Sequence, residues 1–418
     1  MMTKKKMDVI VIGGGASGMM AAIAAAREGC RVLILEHMDE PGRKILATGN
    51  GRCNFTNAAQ GCECYRGTTP AFVLPALKKF GWKDAVDFFE ELGVWARQRE
   101  GYYYPRSMQA SAIRQGLLSE LKRRKVQVEC GIGIRNIKKE RTGFVIEAKN
   151  GDYYGSACIL AAGGKASPKS GSDGSGYIYA EKLGHSCIQP LPALVPLLTD
   201  AKWNRITAGV RGEARITLYV RGKTAASDIG EVQFTDYGLS GIPVFQVSRY
   251  ASRALYEGED VRVQLDLMAD VEEEALFQRL ISCANAHPFT SWKELLSGMI
   301  NSKLSEALCG LVKGAGGIPG EMTKEGKRKT ALELSRLMKR LTCSVTGTKT
   351  FQQAQVTAGG VDTAQIDSST MGSKLVNGLY FAGEIMDIDG ICGGYNLHWA
   401  WASGQRAGKS AAEYVKKG

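Results

Sequence analysis

Residues 8–36 constrain the fold of this chain more than any other stretch. Positions 8–12 form a short apolar run that reads as a buried strand. Gly13, Gly15 and Gly18 follow as G-x-G-x-x-G, residues 17–28 are alanine-rich and helix-compatible, and positions 31–35 make a second apolar strand ending in Glu36. This is a whole βαβ dinucleotide-binding unit in register, not an isolated glycine motif. Gly13 permits the tight turn, Gly15 lets a phosphate approach the backbone, and Gly18 lets helix and strand pack closely. The helix N–H groups at Ala16, Ser17 and Gly18 then face a pyrophosphate at the positive end of the helix. Glu36 stands about 20 residues on, where an acceptor for ribose hydroxyls belongs, and disfavours a 2′-phosphate. His37 beside it joins the candidate contacts.

The start of the chain offers a competing reading. MMTKKK followed by VIVIGGGASGMMAAIAAA has the outline of a signal peptide or membrane span. GGGASG inside that run would weaken a hydrophobic helix, and the dinucleotide motif explains it better. The chain has 418 residues, of which 44% are hydrophobic, with only 11 prolines and no repeat. It therefore reads as compact, with roughly two to three domains and no membrane span. Eleven cysteines are scattered, and Cys62 and Cys64 form a C-x-C pair with no partner pair at zinc-finger spacing. Reduced thiols in a cytoplasmic protein without a metal are expected. Net charge is +12, from 54 basic and 42 acidic residues. With no recognition motif and no aromatic–basic interleaving, the charge reads as solvated helix faces plus attraction for anionic cofactors and substrates; no nucleic-acid partner is expected.

Residues 42–57, GRKILATGNGRCNFTN, lack a helical or strand period, and Gly49, Asn50 and Gly51 would break either element. This loop follows the second strand, so it runs along the carboxyl edge of the sheet over the bound dinucleotide. A nicotinamide does not require such a loop; the ribityl chain and polar ring edges of a flavin can use one. Arg43 and Lys44 are candidates to reach phosphates, and Gly51, Arg52, Asn54, Thr56 and Asn57 to meet the flavin. Cys53 reads as a small packing residue within that contact region, since no resolving cysteine stands nearby.

The far end of the chain also points to FAD. An apolar strand at 378–382 is followed by Gly383, Glu384 and Asp387, then by a Gly-Gly-Tyr-Asn turn and a last helix at about 397–415. A helix N-terminus at Gly394, Asn396 and Leu397 suits the N1–C2 side of a flavin, where reduction places negative charge. Ile134, in a strand–turn–strand at 126–137, is a candidate clamp on the adenine edge. Gly164, at the end of the strand in ILAAGGKASP, is placed to press on the cofactor.

Taken together, GGGASGMMAA, GRKILATGNGRCNFTN, QVTAGGV and FAGEIMDIDGICGGYNLHWAWASGQRAG resemble, over nearly the full chain, a family of bacterial NAD(P)/FAD-dependent oxidoreductases, also labelled aminoacetone oxidase family FAD-binding enzymes. One branch of it is the 3-dehydro-bile acid delta-4,6-reductases, which reduce steroid carbon–carbon double bonds. The resemblance implies FAD contacts at residues 13–18, Glu36, Arg43, Lys44, residues 51–54, Gly383, Glu384, Asn396 and Leu397. Where the family often has an amide, this chain has His398. The family also implies an inserted module. The expected fold is α/β: a Rossmann-like, glutathione-reductase-like FAD domain at 1–190 and 355–418, interrupted by a β-barrel at 191–265 and 342–354 and a helical cap at 266–341. EARITLYV and VRVQLDLM alternate as strands do, and KTALELSRLMKRL has helical spacing.

In a flavoenzyme the ring carries the hydride chemistry, and the protein supplies position and charge. Tyr103, Tyr104 and His398 are the candidate proton donors, none of them decisive. A second G-x-G-x-x-G and a C-x-x-C beside the flavin are both missing, and GSDGSG at 171–176 lacks the spacing. A built-in nicotinamide domain of the disulfide-reductase kind is therefore not expected, and NAD(P)H would act as a transient donor. Three functions stay open: a reductase of activated C=C bonds, in steroids for example, acting on an apolar or anionic small molecule; an FAD amine oxidase using oxygen; and an RNA-linked or non-enzymatic flavoprotein. Oligomeric state is not legible.

Overall fold

A computed structural model describes residues 6–418. The chain divides into two compact units, one of residues up to Leu191 with Gln355–Gly418, the other Pro192–Ala354.

The first unit is built on a seven-stranded sheet. β1 (Met7–Ile12) pairs in parallel with β2 (Val32–Leu35) on one side and with the strand Gly151–Leu160 on the other. Beyond these lie Gln127–Glu129 on the β2 side and the antiparallel strands Gly143–Ala148 and Ile134–Glu140 on the other. Every β1 residue but one is buried, as parallel strands covered on both faces must be. The short strand Leu379–Phe381 joins Gly151–Leu160 in parallel, with Cys158 opposite Leu379, so the far end of the chain enters the same sheet as β1.

Two helices cover this sheet. α1 (Ala16–Arg27) follows β1, and the C-terminal helix Tyr395–Lys417 packs along it. Their approach is close because small residues face each other. A Cβ on Gly404 would sit 2.5 Å from the Ser17 carbonyl oxygen, and one on Gly408 would sit 2.2 Å from that of Ala21. Matching 404 to 17 and 408 to 21 makes the helices parallel, with both N-termini toward the same edge of the sheet.

The second unit holds a closed six-stranded antiparallel barrel, Leu197–Thr199, Gly238–Ser240, Lys223–Thr235, Arg211–Val220, Val261–Asp266 and Leu341–Thr348 in spatial order. Helices Glu273–Ala286, Trp292–Ser297, Ser302–Leu311 and Lys324–Lys339 lie between its last two strands in sequence, with Trp292 wholly buried in their shared core. The expected α/β nucleotide fold interrupted by a barrel and helices is thus the observed one. The stretch expected to read as strands also contains a helix, Ile242–Tyr256. It starts after Gly241 with a proline in its first turn and buries Val244, Val247, Ala251 and Ala254 at helical spacing, a period hidden within an otherwise alternating segment.

Gly408→Ala is expected to destabilise the first unit by about 2 kcal/mol, because the added methyl meets backbone rather than a yielding side chain. Urea unfolding followed by tryptophan fluorescence measures it.

Candidate functional site

The site begins with the three glycines, which the structure gives three different jobs. Gly13 has φ +101°, and a Cβ there would lie 2.6 Å from the Ala161 carbonyl. Gly18 must lack a side chain because a Cβ would fall 1.9 Å from the Gly13 oxygen. At Gly15 a Cβ would meet nothing within 4 Å. Packing does not demand that glycine; the open space over the backbone fits an approaching phosphate. The first intrahelical bond of α1 runs from Met19 N–H to Gly15 O, so the N–H groups of Ala16, Ser17 and Gly18 stand outside the helical ladder.

Glu36 closes one side. Its Oε2 accepts the Gly14 N–H at 2.6 Å and its Oε1 the Met38 N–H at 2.8 Å, with His37 Nδ1 at 3.2 Å. Burial is the largest influence on this carboxyl and works to raise its pKa. The bonds from His37, Met38 and Gly14 together outweigh it and hold the group below the ordinary glutamate range. Contact with Glu36 raises His37 in turn. A carboxylate has about four acceptor positions, so Glu36 retains capacity for ribose hydroxyls. The Glu36 and Met38 carbonyls accept from Ile132 and Gly131, which brings the turn before Ile134 to this flank. The Ile134 carbonyl itself accepts the Tyr179 hydroxyl at 3.0 Å.

The loop at 42–57 is more ordered than its composition implies. Arg43–Ala47 make one helical turn, and Gly49, Asn50, Gly51 and Cys53 all have positive φ. Arg43 pairs with Asp39 at 2.6 Å and Lys44 with Glu384 at 2.7 Å, so neither seeks a phosphate without leaving a carboxylate. Cys53 is buried, and burial pushes its thiol up to about 12, which makes it a packing residue. The Thr56 hydroxyl bonds His398 and the Asn57 amide donates to the Gly393 carbonyl, so both are spent internally. Asn54 is different. Its Oδ1 is buried without a partner and lies where a Cβ on Gly394 would meet it at 2.7 Å. Arg52 is exposed and Gly51 lies open beside it.

Asn54 therefore faces the N-terminus of the C-terminal helix. There the first intrahelical bond is His398 N–H to Gly394 O, which leaves the N–H groups of Tyr395, Asn396 and Leu397 outside the ladder. The helix begins two residues before the expected start because the Asn396 side chain, bonded both ways to Gly390 at 2.8 Å, stabilises the turn that launches it. Ser17 Oγ donates to the Ala382 carbonyl, and the Gly383 N–H to Ser403 Oγ, so residues 13–18 and 382–403 form one fabric. Open space at Gly15, an orphaned amide oxygen at Asn54 and two free helix N-termini fit FAD, an anionic dinucleotide with a polar-edged ring.

Two expectations change. His398 is fully buried; its Nδ1 lies 2.9 Å from Thr56 Oγ1 and its Nε2 3.1 Å from the Phe80 carbonyl. A carbonyl only accepts, so Nε2 carries the proton and Nδ1 accepts from Thr56, leaving no ring atom for a substrate. Burial lowers this imidazole to about 4. His398 holds the helix start in place and is not a proton donor. Tyr103 stacks on Trp82 with ring centroids 5.2 Å apart, whereas Tyr104 stays half-buried. Thr357 was not singled out from the sequence. Its Oγ1 accepts the Lys165 and Ala166 N–H groups, and its own N–H donates to Glu384. It occupies the space that a Cβ on Gly164 would need, at 2.4 Å. A lone hydroxyl inside the apolar run QVTAGGV was the available signal.

Gly15→Ala is expected to leave apo stability within about 1 kcal/mol of wild type while lowering FAD affinity at least about tenfold; Gly18→Ala loses the fold itself. Titration calorimetry and thermal unfolding separate the two. Because the folded state excludes a proton from His398, its contribution to stability is complete above about pH 6.5. It falls by up to about 3 kcal/mol as pH drops toward 4. His398→Gln, which keeps an acceptor for Thr56 and a donor for Phe80, is expected to flatten that loss in urea titrations across the same range.

A family profile described as HI0933-like protein Rossmann domain matches residues 7–410. A 3-dehydro-bile acid delta(4,6)-reductase of Clostridium scindens is 42% identical over 405 residues, spanning 96% of this chain and 98% of that protein. A ribosomal RNA dihydrouridine synthase of Escherichia coli is 32% identical over 406 residues, 96% of each. The open conformation of a flavocytochrome c3 fumarate reductase superposes with a TM-score of 0.50 at 16% identity, covering 99% of this chain and 79% of that one, a likeness of fold. The chain belongs to the HI0933-like Rossmann family.

Proposed function

We propose that this chain reduces a carbon–carbon double bond conjugated to a carbonyl, as in a 3-oxo steroid, with NAD(P)H as the electron donor. What supports the reading is the convergence of both chain ends on one edge of one sheet, together with the 42% identical bile acid reductase. Bound FAD supplies the two-electron chemistry. α1's N–H groups would hold it at the pyrophosphate, Glu36 at a ribose, and Asn54 with the N–H groups of Tyr395, Asn396 and Leu397 at the ring. The helix dipole there favours negative charge. Tyr104 is the proton-donor candidate that remains; burial raises its hydroxyl above the ordinary tyrosine value. The net charge of +12 and the 32% identical dihydrouridine synthase support a second reading, in which the double bond belongs to a uracil ring in ribosomal RNA.

The purified protein is expected to be yellow and to bleach within seconds on anaerobic mixing with NADPH or NADH. A 3-oxo-4-ene steroid then restores the colour under the first reading, and ribosomal RNA under the second. Bleaching by amines alone, with recovery only in oxygen, overturns both in favour of an oxidase. A colourless protein whose melting temperature FAD leaves unchanged removes the flavin itself.

A further inference from the structure

The strands Ala96–Arg99 and Tyr102–Pro105 form a hairpin in the first unit. Its two turn residues, Glu100 at φ +51° and Gly101 at φ +89°, both have the positive φ of a type I′ turn, which fixes the register. Arg97 then lies opposite Tyr104 and Arg99 opposite Tyr102. The Arg106 N–H, bonded to the Trp95 carbonyl at 2.7 Å, extends the ladder by a Trp95–Arg106 pair. Directly opposed residues share a face and alternate residues return to it. One face therefore reads arginine beside aromatic three times in succession, at steps of about 6.8 Å.

The other face, apart from the exposed Gln98, packs inward. Ala96 and Tyr103 pack against the core, Pro105 is buried, and Tyr103 stacks on Trp82. The arginine–aromatic face turns to solvent: Trp95 is 70% exposed and Tyr102 38%. Among the described residues Arg97 and Arg106 have no carboxylate partner, and Arg99 has Glu100 at 3.7 Å in the turn. No aliphatic side chain lies among the six residues. The hairpin also abuts the candidate site: a Cβ on Gly393 would meet the Tyr102 ring at 3.2 Å, just ahead of the C-terminal helix.

We infer that this face is a docking surface for single-stranded nucleic acid. Guanidinium groups match phosphate oxygens bidentately, and exposed aromatic rings offer a stacking surface to any base. Charge complementarity selects a polyanion, and the aromatic partners select one that carries bases. The inference goes beyond the reductase reading and does not need it, because binding is measured without turnover.

The test uses FAD-loaded protein and a fluorescent 12-nucleotide single-stranded RNA, with the same sequence as DNA and as a duplex, read by anisotropy across a salt series. Wild type is expected to bind single strands more tightly than the duplex, with affinity falling steeply in salt. Arg97→Ala/Arg106→Ala is expected to weaken binding at least tenfold and to reduce the log–log salt slope by about 1.4, at about 0.7 per phosphate contact. Trp95→Ala is expected to weaken binding about tenfold with the slope unchanged, as lost stacking does. Arg141→Ala/Lys149→Ala removes the same charge elsewhere and is expected to leave binding as in wild type. FAD absorbance checks that each variant is folded. No binding at low salt, equal losses in the two double variants, or inorganic polyphosphate competing as well as RNA at equal phosphate concentration would each overturn the proposal. So would ribbon variants that raise the KM of an anionic steroid while RNA binding stays intact, since the face would then serve a small anion.

Discussion

The close approach of the C-terminal helix to α1 is the contact on which the candidate site depends. Gly404 and Gly408 set the helix against the backbone of Ser17 and Ala21, where any side chain would meet a carbonyl oxygen. Because the two helices run parallel, their positive ends lie at one edge of one sheet. Two sets of three N–H groups that lie outside their helical ladders among the described residues, separated by nearly the whole sequence, thereby become parts of a single anion-seeking surface. The Ser17–Ala382 and Gly383–Ser403 hydrogen bonds lock the same seam from the side.

Around that seam most polar groups already have partners. Lys44 holds Glu384, Glu384 holds Thr357, and Thr357 holds the turn at Lys165 and Ala166. Thr56 and Phe80 hold a neutral His398. Unpaired buried groups are costly, so the few left open carry information. Among the described residues they include the Asn54 oxygen and the two helix starts, which a flavin dinucleotide would use, and also the Tyr177 hydroxyl, one Asp387 oxygen and the Trp399 indole N–H.

Glycine shows how one residue type serves opposite ends. Gly18 is needed because there is no room, and Gly15 stands over room that nothing in the protein fills. The motif alone announces both, but only the neighbours distinguish packing from access. In the same way, the tyrosines at 102–104 separate by strand alternation. Tyr103 turns inward to Trp82, while Tyr102 and Tyr104 turn to the arginine face.

The sequence by itself determined the nucleotide unit, because its glycine spacing, helix and acidic terminus are all local and lie within residues 8–36. Periods of two and of 3.6 made strands and helices legible in the middle of the chain, but that they form a barrel and cap interrupting the nucleotide fold came from the family resemblance. The helix Ile242–Tyr256 escaped because its period lay inside a segment dominated by strands. Tertiary structure alone decided that residue 404 returns to residue 17, that Lys44 belongs to Glu384, and that His398 has no free nitrogen. It also decided the arginine–aromatic row. Reading along the chain finds no basic–aromatic interleaving, because the interleaving runs across a hairpin, and only pairing in register places Arg97 beside Tyr104. Contacts between residues far apart in sequence are set by packing and register, which no local pattern encodes.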